Sequence, residues 1–298
     1  MAASTTVRVK PLTGTFGAEI TDVDIRKGFR AGELLALLET HLVVVARGQD
    51  LSLADQVEVA RSLGEPTPAH PVVPGHPDYP EVLILDSNQG GKNARWHTDV
   101  TFVPTPPAAS VLVADHVPEW GGDTLWVDTR TAFKRLNPAL RTALSRLRAV
   151  HRVAPLAYWG EPFDSALKRD DARKLYEDSL RLAPVLHPIV RMHPSTGEPA
   201  LFVNPGFTTC IDGMSQIESD SILNLLYAHM TQPEFAYRHR WQPGDVVMWD
   251  NRATMHYAVD DYGTSERIMR RVTIRGAEPF GPDGFSSHIS NELTHLVR

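Results

Sequence analysis

The chain has 298 residues, a formal net charge of −6, 42% hydrophobic and 22% charged residues, and one cysteine. This is the composition of a folded globular protein with a sizeable core. The acidic balance and the absence of a basic stripe exclude a nucleic-acid surface, and the lone Cys210 excludes an intramolecular disulfide and any cysteine-built zinc or iron–sulfur centre.

The N-terminal "MAASTTVRVK" has no apolar signal core, and the longest early apolar run, "LVVVA" at 42–46, is too short to cross a bilayer. A cytoplasmic location with no membrane partner is expected. Residues 7–25, "VRVKPLTGTFGAEITDVDI", set short β-branched stretches between Gly and Pro, which predicts strands and turns. "AGELLALLETHLVV" at 31–44 spaces its apolar residues as a helix does, and "SLADQVEVARSLG" predicts a second helix with Ser52 as N-cap and Gly64 as stop.

From Glu81 onward, "EVLILD", "ASVLVADHV" and "DTLWVD" are short apolar runs between Pro and Gly clusters and predict strands. "TAFKRLNPALRTALSRLRAV" at 131–150 has a helical pattern, and the polar stretch 160–185 reads as an insertion or lid over one end of a sheet. Strands return in "HPIVRMH", "PALFVN", "GDVVMWD" and "RIMRRVTI", with one amphipathic helix, "SQIESDSILNLLYAHM", among them. No regular βαβ alternation or Gly-rich phosphate loop is present, which argues against a doubly wound nucleotide fold. The expectation is a mainly β jelly roll decorated by α-helices, one domain over 1–298.

"ARWHTDVTF" at 94–102 places His97 and Asp99 two positions apart, so on an extended strand both side chains project to one face. The pair suits a metal, and equally an imidazole hydrogen-bonded to a structural carboxylate. His256, in "WDNRATMHYAVDDY", offers a third ligand. Two histidines and a carboxylate make the facial set of a non-haem Fe(II) oxygenase, and also suit a zinc hydrolase. In "RIMRRVTI", alternation puts Arg267 and Arg271 on one face, roughly 13 Å apart. They fit two ends of an anion pocket or a solvated sheet edge. Thr124, after the Gly-Gly-Asp turn of "GGDTLWVD", is either a donor to a bound carboxylate or a turn hydroxyl bonding its own backbone.

Taken in order, "WHTDVTF", "TPPA", "GGDTLW", "HPIVRMHPSTGEPALFVNPGFTT", "WDNRATMHYAVDDY" and "RIMRRVTI" resemble the taurine dioxygenase family of Fe(II)- and 2-oxoglutarate-dependent oxygenases, from about residue 8 to about residue 280. The resemblance implies a double-stranded β-helix core, with the first 80 residues packed beside it. It implies that His97, Asp99 and His256 bind Fe(II), that Thr124 and Arg267 hold the distal carboxylate of 2-oxoglutarate, and that Arg271 faces anionic groups near the metal. His70, Val73, Asn93, Val100 and Phe207 would line the substrate space beside Arg271.

The implied reaction consumes O2 and 2-oxoglutarate, releases succinate and CO2, and hydroxylates a small anionic substrate. The expected substrate is a taurine-like sulfonate, releasing sulfite and an aldehyde, with an alkyl sulfate or a carboxylate as alternatives. A non-catalytic module binding iron or 2-oxoglutarate is the alternative of another class. Val73 stands where taurine dioxygenase has a tyrosine, so the pocket loses a hydroxyl and suits a less polar substrate. Homo-oligomers are common in the family, and one is expected. The C-terminal 285–298 lies beyond the resemblance, as a packed helix or a loose tail.

Overall fold

The computed structural model describes residues 7–290 apart from 28, 31, 72, 90–93, 154–176 and 178–180. Its main layer is a seven-stranded sheet in the order β1-β2-β3-β13-β5-β15-β4. The strands are β1 (Arg8–Pro11), β2 (Ala18–Thr21), β3 (Val43–Ala46), β4 (Val82–Asp86), β5 (Ala109–His116), β13 (Val246–Asp250) and β15 (Ile268–Ile274). Side chains alternate across it. Val246 and Met248 of β13 pack with Leu34 and Leu38 of α1 (Glu33–His41) and with Val57 and Ala60 of α2 (Leu53–Leu63). Val247 and Trp249 face the other way, into the centre of the molecule.

A second layer is built from smaller sheets. One is β12-β6-β14, from β6 (Thr124–Asp128), β12 (Ala236–His239) and β14 (Thr254–Ala258). Another is β11-β7-β8-β16, from β7 (Arg148–His151), β8 (Val185–Pro188), β11 (Thr208–Ile211) and β16 (His288–Ile289). The last pairs β9 (Val190–Met192) with β10 (Pro199–Leu201). Trp126 of β6 and Ala200 of β10 meet Trp249 and Met269 in the central core. Outside this layer, α3 (Thr129–Arg135), α4 (Pro138–Leu144) and α5 (Gln216–Met230) bury Phe133, Leu144 and Leu226 against its back. The protein is thus two β layers with helices on both outer faces, the jelly-roll architecture expected.

Several boundaries depart from the sequence reading. The helical pattern at 31–44 ends at His41, because Leu42 turns left-handed with φ 63° and the following valines enter β3, buried on both faces between β2 and β13. Residues 131–150 do not form one helix: Pro138 cannot donate to the preceding turn, Asn137 caps a new helix through Ala139, and "RAVH" leaves as β7. Of the first 80 residues, α1 and α2 pack against the main sheet, while β1, β2 and β3 extend its edge. Of 285–298, His288 and Ile289 form a strand on β8 rather than a helix or tail. The stretch 160–185 falls largely outside the described residues, as does 291–298. The Ser52 cap stands as read, completed by Asp55 as a capping box, with Gly64 closing α2. Among the described residues no helix is long and apolar enough to cross a membrane.

Candidate active site

His97, Asp99 and His256 meet inside the β layers, all buried, with one ligand atom from each lying within 4.8 Å of the others. The expected strand around His97 is not what unites them. His97 makes a single antiparallel bridge with His256 of β14, each backbone N–H donating to the other's carbonyl, at 2.9 and 2.8 Å. The chain then turns at Asp99 and Val100, and Val100 adopts φ 54°, a left-handed conformation costly for a β-branched residue. That turn folds Asp99 back, so its Oδ1 stands 3.9 Å from Nε2 of each histidine.

The donor set fits a metal. His97 donates from Nδ1 to the Arg95 carbonyl at 2.8 Å, which puts the ring proton on Nδ1 and the lone pair on Nε2, the nitrogen nearer Asp99. Burial, reinforced by Arg271, holds the His97 imidazole below its usual pKa, and burial beside His97 lowers His256 well below it. Both are therefore neutral, as ligands must be. Burial opposes ionisation of Asp99, but the Arg271 guanidinium, with a hydrogen bond from Ser110, outweighs it and holds the carboxyl well below the ordinary range.

Asp99 is oriented by a relay the sequence reading missed. Its Oδ2 accepts from Ser110 Oγ at 2.8 Å, Ser110 accepts from Asn251 Nδ2 at 2.8 Å, and Asn251 Oδ1 accepts from Trp249 Nε1 at 2.9 Å. Ser110 and Trp249 face inward on neighbouring strands, β5 and β13, where they are paired directly. Only the pairing of these strands reveals the contact. Just before β14, Asp250 accepts from Arg252 and, at 3.0 Å, from His193 Nε2, fixing the turn that delivers His256.

The two arginines have different partners, and only Arg271 lies within β15. Arg271 donates from Nη1 to Asp99 Oδ1 at 2.6 Å, and its buried Nε has no hydrogen-bond partner among the described residues. Arg267 lies just before β15, buried, with Nε donating to the Gly122 carbonyl at 3.1 Å. Gly122 has φ 68°, and a Cβ there would stand 3.2 Å from Arg267 Cδ. Arg270, on the opposite face, pairs with Asp115 at 2.8 Å.

Thr124 opens β6, buried, and its Oγ1 accepts from Trp241 Nε1 at 2.9 Å. The Arg267 guanidinium lies 6.0 Å from the Trp241 ring centre, so Trp241, another residue the sequence reading passed over, joins the two expected carboxylate anchors.

Val100, Phe102, Val153 and Phe207 form an apolar cluster beside His97. Phe207 stands edge-on to His97 at 6.3 Å, and Gly206 leaves room for that histidine, since a Cβ there would come 2.8 Å from His97 Cβ. His70 reaches the same region, 6.0 Å from Phe102, where burial and then Arg271 push its pKa down to about 4. Val73 does not join it: the side chain is 42% exposed, the loop after His70 having turned outward. Asn93 lies outside the described residues.

The family model described as "Taurine catabolism dioxygenase TauD, TfdA family" matches residues 8–273. An alpha-ketoglutarate-dependent sulfate ester dioxygenase of Pseudomonas putida is 41% identical over 280 residues, covering 93% of this chain and 92% of its own length. An alkylsulfatase of Acinetobacter baylyi is 37% identical over 289 residues, covering 93% of this chain and 88% of its own. The crystal structure of a taurine dioxygenase from Burkholderia xenovorans superposes with a TM-score of 0.81 at 34% identity, covering 96% of both chains. With its fold, its ordered motifs and its whole-length relatives in agreement, the chain belongs to the taurine catabolism dioxygenase TauD, TfdA family.

Proposed function

We propose that the chain is a Fe(II)- and 2-oxoglutarate-dependent dioxygenase that hydroxylates small sulfur oxyanions, sulfate esters or sulfonates, at the carbon next to the heteroatom. The observation that carries this reading is the buried His-Asp-His cluster with Arg271 on Asp99, together with a second arginine, the buried Arg267, beside Trp241, whose indole N–H donates to Thr124. When bound, Fe(II) and 2-oxoglutarate supply the activation of O2, with 2-oxoglutarate leaving as succinate and CO2.

In this assignment His97, Asp99 and His256 hold the metal. Thr124 and Arg267 hold the distal carboxylate of 2-oxoglutarate. Arg271 presents its fork to the substrate anion, a task for which a planar, always charged donor is suited. His70, kept neutral by burial and Arg271, adds a hydrogen-bonding edge there without further charge. Val100, Phe102 and Phe207 offer the carbon skeleton an apolar wall and keep water from the reacting atoms. Such a wall leaves the ammonium of taurine without partners and favours an apolar alkyl group. Hydroxylation at the carbon bearing the sulfate or sulfonate gives an unstable product, which collapses to an aldehyde with sulfate or sulfite. The lone Cys210 accords with a cytoplasmic, reducing setting.

The test is succinate release with Fe(II), O2 and 2-oxoglutarate, measured across sulfate esters, sulfonates and carboxylic acids. Stimulation by alkyl sulfates or alkyl sulfonates with matching aldehyde is expected. Stimulation by carboxylic acids alone would overturn the sulfur assignment.

A further inference from the structure

A file of aromatic rings runs from the metal cluster across the central core. The Trp249 ring lies 4.9 Å from that of His256, Trp126 lies 5.6 Å from Trp249, and Tyr237 stacks on Trp126 at 6.3 Å with 23° between planes. Trp249 and Trp126 are almost wholly buried, and Tyr237 is half-buried on β12, at the outer end of the file. Each ring in the file is easily oxidised, and contact distances of this kind suit stepwise electron transfer.

What the rings hydrogen-bond to gives the file a direction. An oxidised indole becomes acidic at Nε1, so a base there would trap the charge. Trp126 Nε1 has no hydrogen-bond partner among the described residues, and Trp249 Nε1 meets only the amide oxygen of Asn251, a very weak base. Trp241, a side branch 6.3 Å from Trp126, meets only the Thr124 hydroxyl.

Tyr237 differs from all three. Its OH lies 2.9 Å from His239 Nδ1, and His239 Nε2 lies 2.9 Å from Asp245 Oδ2, which also accepts from Arg47 Nη1 at 2.7 Å. Asp245 fixes the tautomer, because Nε2–H must donate to the carboxylate and Nδ1 is left to accept the phenolic proton. Burial raises the phenol to about 12, so it keeps its proton until it is oxidised. Within this file Tyr237 alone has a base in place.

We propose that Trp249, Trp126 and Tyr237 form a relay that drains oxidising equivalents from the metal site when no substrate is hydroxylated, with Tyr237 as the terminal donor. This inference rests on the oxidative chemistry proposed above. In a turnover without substrate, decarboxylation of 2-oxoglutarate supplies two of the four electrons that O2 accepts, and one oxygen atom enters succinate. Two electrons and two protons are still needed to carry the other oxygen atom to water. Each electron leaves Tyr237 through Trp126 and Trp249, while the phenolic proton moves to His239 Nδ1 and a neutral tyrosyl radical remains. An external reductant of the ascorbate or thiol class returns one electron, the proton moves back from His239, and solvent supplies the protons for water. The cycle runs twice per uncoupled turnover.

The test compares the wild type with Tyr237→Phe, both loaded with Fe(II) and 2-oxoglutarate and given O2 without substrate. Succinate is counted, radicals are trapped for electron paramagnetic resonance, and peptides are mapped by mass spectrometry. The wild type is expected to show a radical signal that narrows with ring-deuterated tyrosine and is lost in Tyr237→Phe. The variant is expected to cease succinate release after several-fold fewer turnovers and to gain single-oxygen adducts on Trp249 and Trp126, with its melting temperature and coupled rate kept. Ascorbate should prolong the wild type several-fold more than the variant. Succinate release with equal turnover numbers and identical adducts would overturn the relay, as would a wild-type signal insensitive to tyrosine deuteration. No succinate from either protein would overturn the oxidative reading itself, and the relay with it.

Discussion

His97 and His256 exchange both of their backbone hydrogen bonds, so their two imidazoles, with ring centres 4.1 Å apart, are set side by side by the main chain. Rotamer choice has only to finish what the bridge begins. Gly206 guards this arrangement, since a Cβ there would meet His97 Cβ at 2.8 Å. Gly206→Ala is expected to cost about 1–3 kcal/mol through overpacking and to weaken metal binding by shifting His97. Titration calorimetry with Mn(II) or Fe(II) and a thermal melt check this, and unchanged metal affinity would count against the contact.

Ser110→Ala removes the hydroxyl that orients Asp99 Oδ2 and leaves Asn251 Nδ2 unpaired. The ligand set stays complete, but its carboxylate loses its brace. Metal affinity is expected to fall by about 10-fold, the lower end for the loss of a partner behind a ligand. Equilibrium metal binding reads the effect, and Asn251→Asp, which alters the same relay, should move affinity too.

Trp241→Phe keeps an aromatic ring but removes the indole N–H that Thr124 accepts. A Thr hydroxyl that accepts from an indole has its own proton free for a carboxylate. Losing one such hydrogen bond, about 1 kcal/mol, should raise the KM for 2-oxoglutarate about fivefold and leave the KM for the sulfur substrate unchanged. Thr124→Val should lose at least as much, and the double variant less than the sum of the two, because the residues are in contact. Additive losses would place Trp241 outside the carboxylate pocket.

His151 and His187 brace the turn at residues 97–103 from behind: His151 Nδ1 meets Thr101 Oγ1 at 2.9 Å, and His187 Nε2 meets the Thr101 carbonyl at 2.8 Å. Burial lowers His187 from 6.5 to about 3, and burial with the neighbouring His187 lowers His151 well below 6.5. The unfolded chain therefore takes up protons first as pH falls. Stability from these groups is complete above about pH 6.5 and is lost progressively towards about pH 3. At about pH 5 the loss from His187 is about 2 kcal/mol. Urea denaturation of the metal-free chain at about pH 7 and about pH 5 measures it, and His187→Gln should flatten the slope. A pH-independent unfolding free energy would contradict the burial of neutral imidazoles.

The site was legible where its chemistry sits in short motifs. The convergence of His97, Asp99 and His256 could be read from residue type and motif order, and the opposite facing of Arg270 and Arg271 from strand alternation. The reason His97 and Asp99 converge was not legible, because it depends on a tertiary bridge and on a left-handed Val100 rather than on strand geometry. Ser110, Trp241 and Asn251 were silent because each is an ordinary residue until another strand is laid beside it. The same limit applies to the fold. The capping box at Ser52 acts within four residues and was read correctly, whereas the valines after His41 continued a helical pattern until pairing with β2 and β13 made them a strand.

More than half of the chain lies between His97 and His256, so their bridge closes a very long loop. The entropy of that closure grows only slowly with loop length, yet it is spent entirely before the ligands can meet. An ion held by both histidines therefore has no comparable site on the unfolded chain, and its binding free energy becomes folding free energy. A cation bound there would be a staple as well as a reagent, tying the first half of the polypeptide to the second.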